Sequence, residues 1–420
     1  MAEYSKFPGN KFSQIFSNRF RGFTVAAVAC TYIASFSLPS SFKIDMPLFA
    51  LALISFLLVM PDSQKNSIVN LPLALPVLLF LTAMILSILL SKEDISRTVG
   101  MSLPLLPGII LFFLVAEYLN NPKETRFIYL TFSVVVLGLA LLFLWALWKN
   151  SQGGPSEWIK EVGSPILLVK NDVTWFSVVA PLSLALVYQK PRSVYGVTAF
   201  LSVVGSIVVV GMFQSRVALL IMVVTLTCFF SCVHSKKMGL ALGSAILLLI
   251  VGIDGLAGFK LLERVVQHWD GSGRIPLWLS AWEMFLDSPL LGHGPHTFVL
   301  LYQPYLQDLS LPSWLFVDPR LIPWPHNLYL EVLAEQGIVG FLTLLLLLKC
   351  GITLAWQLRT APYREVKLLG YGAFASLVGF CLAATVELTL MRHWVVLMLF
   401  SLLGVVAQLS LLVYNPKKIR

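Results

Sequence analysis

Apolar residues fall into twelve long runs separated by polar connections: 22–38, 46–60, 71–90, 98–116, 127–148, 173–188, 193–213, 217–233, 238–253, 338–357, 368–386 and 394–414. A bilayer core about 30 Å thick takes roughly 17 to 25 apolar residues per crossing helix. The pattern therefore predicts an all-α integral membrane protein with about twelve transmembrane helices. Three runs, 46–60, 173–188 and 238–253, are short for a crossing. The first run follows basic residues but lacks a small-residue cleavage site, so the N-terminus is expected to stay attached.

Composition agrees with the pattern. Hydrophobic residues make up 57% of the 420 positions, charged residues only 12%, and the mean hydropathy is +0.83; soluble domains carry roughly 25% charged residues. All five cysteines (Cys30, Cys228, Cys232, Cys350, Cys381) fall inside the apolar runs. There they read as small packing residues, with neither a disulfide framework nor a metal site suggested.

Lysine and arginine set the expected orientation. With a cytoplasmic N-terminus, the inner segments carry seventeen of the thirty and the longer outer segments twelve, while Lys349 lies within a run. Both termini are thus expected in the cytoplasm. This bias accounts for the net charge of +9 without a nucleic-acid partner.

The arrangement divides the chain into a membrane bundle over 1–253 with nine predicted helices, an outer loop over 254–337, and a second bundle segment over 338–420 with three. The loop is 84 residues long, and a connection of that length is uncommon unless it is functional or has its own structure. Within it, "GSGRIPLWLSAWEMFLDSPLLGHGPHTF" places Ile275, Trp278, Leu279, Trp282, Phe285 and Leu286 at helical spacing. That amphipathic helix suits a membrane interface, and it ends at Pro289 and the Gly292–Pro295 turn. The outer segment 149–172 contains Gly153, Gly154, Pro155 and Pro165 and is expected to be irregular.

A few polar residues can carry chemistry. Arg216, in "GMFQSRVALL", sits between two apolar runs at the outer surface; it either snorkels at a helix end or faces a cavity to bind phosphate in bidentate fashion. Arg274 opens the amphipathic helix, where a cation opposes the helix dipole. Backbone N–H groups and a guanidinium together make a phosphate site, so that placement points toward an anion. Arg264 and Arg320 read as solvated or paired with loop acids, since the loop carries nine acidic residues against four basic ones.

His326, in "WPHNLYLEVLAEQGIVG", precedes Asn327, a good helix N-cap. It is one of few outer groups able to take a proton near neutral pH, although a lone histidine is often structural. Glu331 and Glu335, one turn apart, fit either support of the loop or acid/base work. His293 and His296 flank a Gly-Pro turn without cysteine ligands, and no Asp-x-Asp motif is present, so neither a metal nor another cofactor is expected.

His326-Asn327, nine residues, Gly337, two residues, Gly340 resembles the outer-loop signature of O-antigen ligases. The segment from Arg274 to Phe298 and "QSRVALL" around Arg216 resemble two further motifs of that superfamily, and the likeness covers mainly residues 211 to 340. The resemblance implies a GT-C-type membrane glycosyltransferase with a large periplasmic loop, in the bacterial inner membrane. The donor would be O-antigen on undecaprenyl diphosphate and the acceptor a sugar hydroxyl of lipid A-core. Arg216 and Arg274 would hold the diphosphate, His326 would be the base, and the reaction would be inverting and metal-independent. Asn327, Gly337 and Gly340 would be structural members of the motif. O-antigen polymerases share a looser form of the signature and remain an alternative. A transporter is a further one, although its ionisable residues would be expected near the bilayer midplane, whereas here they gather at the outer surface.

Overall fold

The computed structural model describes Ala29 and residues 71–91, 95–102, 105–119, 121–149, 173–213, 215–256 and 273–414. Apart from Ala29, the predicted runs 22–38 and 46–60 lie outside the described residues. So do Cys30, the outer segment 150–172, and Arg264.

Among the described residues, thirteen α-helices follow in chain order: α1 (Ala74–Leu90), α2 (Ile95–Ser102), α3 (Leu106–Tyr118), α4 (Pro122–Lys149), α5 (Val173–Gln189), α6 (Val194–Phe213), α7 (Arg216–Val233), α8 (Lys236–Leu256), α9 (Arg274–Asp287), α10 (Phe298–Asp308), α11 (Leu328–Gln357), α12 (Arg364–Ala384) and α13 (His393–Tyr414). No strand occurs among the described residues. Among the described residues six helices, α4, α6, α7, α11, α12 and α13, are long and apolar enough to cross a membrane, and α1, α3 and α5 are shorter apolar helices. The chain is a multi-pass membrane protein.

Two predicted runs differ in outline from the helices found. Run 98–116 is shared by α2 and α3, because "LPLLP" over 103–107 carries two prolines, which lack an N–H and disfavour helix in the preceding residue. Run 338–357 is only the second part of α11, which starts at Leu328 and breaks at Gly337.

Helix α13 is the centre of the bundle: 94% of its apolar window is buried, against 39% for α6 and 33% for α7. It lies closest to α3, where glycines on both helices remove the side chains that would separate them. A Cβ on Gly108 would meet Val396 Cγ1 at 2.5 Å, and one on Gly404 would meet Val115 Cβ at 2.9 Å. Two polar contacts tie helices together inside the bundle: Thr125 donates to Gln408 Oε1 at 2.8 Å, and the Tyr129 hydroxyl to the Leu369 carbonyl at 2.8 Å.

The loop helices form a smaller second core. Leu277, Ala281 and Met284 of α9 pack with Phe298 and Tyr302 of α10, Ile322, and Ala334 of α11. Leu279, Trp282 and Leu286 of α9 stay exposed on the other side. The helix is therefore apolar on two faces, and the exposed one belongs to the set of positions that the spacing marks as its apolar face.

Candidate active site

Asn327 caps α11 as its residue type predicts: its Oδ1 accepts from the N–H groups of Tyr329 at 3.0 Å and Leu330 at 3.1 Å. The cap fixes where α11 begins, and so where His326 sits. His326 itself has φ of 55°, a region uncommon for a side-chain-bearing residue. Its loop is held from α9, where the Trp278 indole donates to the Pro325 carbonyl at 2.9 Å.

Trp324 Nε1–H donates to His326 Nδ1 at 3.3 Å. Since an indole can only donate, Nδ1 holds a lone pair, and the proton of the neutral ring is on Nε2. The Arg392 guanidinium lies over the Trp324 ring, 5.0 Å from its centroid. Burial, with Arg274, Arg392 and Arg320 nearby, holds the His326 imidazole down at about 4. The ring is uncharged at neutral pH.

Arg274 opens α9, as predicted, and its Nη2 donates to the buried Glu387 Oε2 at 2.8 Å. The structure thus brings Arg274 and His326 together. Arg216 is at the first position of α7, behind the Ser215 N-cap, and is not among the cations acting on His326. A chain of contacts nevertheless places it at the same end of the bundle. Ser177, near the start of α5, donates to the Ala218 carbonyl at 2.7 Å. Trp175, also near the start of α5, lies 6.4 Å from Trp394 at the start of α13, two residues from Arg392. Helices α5, α7, α11 and α13 all begin here, so the positive ends of four helix dipoles face one region.

The two carboxylates of α11 each pin a different loop. Glu335 accepts from the N–H groups of His296 at 2.8 Å and Phe298 at 3.0 Å. Glu331 accepts from the Leu390 N–H at 3.1 Å, in the turn that carries Glu387 and Arg392.

Gly337 explains the glycine of the motif. Its φ of 64° and ψ of −166° belong to a region nearly confined to glycine, and a Cβ would lie 2.4 Å from the Leu290 carbonyl carbon. The turn over 288–294 docks into this break. Ile338 N–H donates to the Pro289 carbonyl at 2.8 Å, and the Gly294 N–H to the Glu335 carbonyl at 2.8 Å. Gly340, the second glycine, packs against Gln336 one turn earlier.

The remaining candidates are placed plainly. Arg320 pairs with Asp318 at 2.6 Å and holds that carboxyl down at about 2. His293 Nε2–H donates to the Met284 carbonyl at 2.9 Å. His296 is buried, with both ring nitrogens lacking a hydrogen bond and its imidazole pushed down by burial to about 4. Cys228, Cys232, Cys350 and Cys381 are half-buried free thiols within helices.

Sequence reasoning counted Arg392 only as an outer charge and passed over Glu387 and Trp324. The available signal was the turn between the last two apolar runs, "VELTLMRH", which holds an acid and a base within six residues.

Compared with known families, residues 201–345 match the family model described as O-antigen ligase. That stretch, about a third of the chain, is similar to the O-antigen ligase family. No curated protein sequence matches the chain. The matched stretch contains Arg216, Arg274, His326, Asn327, Gly337 and Gly340, whereas Glu387 and Arg392 lie beyond it. At family level the match supports a function of the O-antigen ligase or polymerase type.

Proposed function

We propose that this chain is an inverting O-antigen ligase that transfers O-antigen polysaccharide from undecaprenyl diphosphate to a sugar hydroxyl of lipid A-core, without a metal. We place it in the bacterial inner membrane with a GT-C-type bundle, both termini cytoplasmic and the 254–337 loop in the periplasm. The observation that carries the reading is the convergence of Arg274, Arg392 and His326 where four helices begin.

In this reading the acceptor oxygen attacks the anomeric carbon as the bond from that carbon to the diphosphate oxygen breaks. The electron pair leaves on undecaprenyl diphosphate, and the growing charge is met by Arg216 and Arg274. The acceptor proton passes to His326, a contribution of roughly 10² to 10⁴-fold. In the geometry found, Nδ1 is the basic atom, so the acceptor hydroxyl takes the place of the Trp324 N–H. The same arginines that depress the imidazole would be offset by a bound diphosphate. Donor binding would then strengthen the base.

The test is transfer in detergent with chelator present, from lipid-linked O-antigen to purified lipid A-core, comparing wild type with His326→Ala and Arg216→Ala. Transfer that is lost in both variants supports the assignment. Extension of lipid-linked chains without lipid A-core would replace ligase by polymerase. Full activity in both variants would remove His326 and Arg216 from the site.

A further inference from the structure

At the end of the bundle opposite His326, the start of α4 and the turn between α5 and α6 enclose a cavity of about 200 Å³. It is lined by Lys123, Arg126, Lys190, Gln189, Phe127 and Tyr195, together with Leu186. We propose that this cavity binds the phosphate headgroup of an anionic phospholipid from the adjacent leaflet.

The cations are held there by backbone structure. Asn121 Oδ1 accepts from the N–H groups of Lys123 at 2.9 Å and Glu124 at 3.1 Å, and its Nδ2 donates to Glu124 Oε1 at 2.7 Å. This cap sets Lys123 and Arg126 on the first turns of α4 and turns the nearest carboxylate onto Asn121. Across the cavity, Ser193 Oγ donates to the Lys190 carbonyl at 2.8 Å, and a Cβ on Gly196 would lie 2.1 Å from that carbonyl oxygen. Only a glycine allows α6 to approach the turn so closely, and the approach fixes Lys190.

The charge balance favours an anion. Arg126 pairs with Glu365 at 3.4 Å, a pair whose carboxylate is half exposed. Among the described residues neither Lys123 nor Lys190 has an acidic partner. Among the described residues, two positive charges therefore stand without an acidic partner at the mouth of one cavity.

A lipid, rather than a free phosphate, is indicated by what adjoins the cavity. Phe127 and Tyr195 meet edge to face with centroids 6.2 Å apart and form an aromatic wall. From there Val194, Val197, Leu201, Val204 and Val208 form one exposed stripe along α6. At 1.5 Å per residue the stripe is roughly 20 Å long, more than half of a bilayer core of about 30 Å. An acyl chain can lie along the stripe while its phosphate sits among the cations. Basic pockets at the cytoplasmic side of membrane bundles recognise lipid headgroups on the same physical grounds.

The experiment uses the purified full-length chain in nonionic detergent. Thermal unfolding and native mass spectrometry are followed with added phosphatidylglycerol, phosphatidylethanolamine or inorganic phosphate. Phosphatidylglycerol is expected to raise the Tm and to be retained, and the other two to do neither. In the Lys123→Gln, Lys190→Gln double variant, whose altered side chains are exposed, the Tm without lipid should be unchanged and phosphatidylglycerol affinity should fall roughly thirtyfold. An equal shift with phosphatidylethanolamine, an equal shift with inorganic phosphate alone, or undiminished phosphatidylglycerol binding by the double variant would each overturn the proposal. Because these readouts do not involve glycan transfer, the result stands apart from the assignment of His326.

Discussion

The two ends of the bundle handle charge in opposite ways. At the His326 end, three buried acidic groups each have a fixed partner: Glu335 and Glu331 accept from loop backbone, and Glu387 from the Arg274 side chain. At the Lys123 end, lysines are exposed and the Arg126–Glu365 pair is partly solvated. Exposed pairs contribute little to stability, whereas a buried carboxylate deprived of its partner is expensive. The contrast teaches that the first end is rigidly built and fragile to substitution, while the second tolerates change and works by net charge.

The strongest break of that contrast is Gly337→Ala. It forces a side chain into a glycine conformation against the Leu290 backbone, and the expected cost is about 3–5 kcal/mol, seen as a large fall in Tm or loss of folded protein. Gly138→Ala, where a Cβ meets nothing within 4 Å, should change stability by no more than about 1 kcal/mol. Equal behaviour of the two variants would mean that the loop does not depend on the break.

Acid sharpens the comparison next. His296 and His326 are both held down at about 4, against an ordinary value of 6.5. Between those values the unfolded chain binds protons on these rings that the folded chain refuses. Stability should therefore fall as pH drops from about 6.5 to about 4, by up to a few kcal/mol in all. A His296→Gln, His326→Gln double variant should lose Tm less steeply over the same window. Identical slopes would show that the two rings are not what acid unfolds.

Glu387→Gln removes the charge that orients Arg274. Since a hydrogen bond between charged groups contributes about 1.5–3 kcal/mol, donor KM should rise by about tenfold or more, with kcat less affected. An unchanged KM would detach Glu387 from donor binding.

The smallest effect expected is that of Asn327→Ala, about 1 kcal/mol from the lost cap, read as a modest Tm decrease with transfer reduced by the misplacement of His326. Asn327→Ser should restore most of the stability. Failure of serine to do so would show that Asn327 acts through something other than the cap.

Much of this was legible in the chain. The length of the apolar runs forecast most of the apolar helices from 71 onward, because a helix satisfies its own backbone in a bilayer, but not the division of 98–116 or the helix α10. The Asn327 cap and the start of α9 at Arg274 follow from local chemistry, which a few neighbouring residues suffice to specify.

What the sequence left open is everything that depends on partners distant along the chain. All the runs are similarly apolar, so nothing in them singles out α13 as the enclosed helix; that follows from the glycines of α3 and α13 meeting across the bundle. Likewise Glu387 lies 113 residues from Arg274, and Arg392 comes near His326 by stacking over the Trp324 ring. Sequence by itself determined a membrane protein, most of its apolar helices and the start of α11 behind His326, because hydropathy and capping act locally. Tertiary structure alone decided which charges meet, because burial and pairing are properties of the packed bundle.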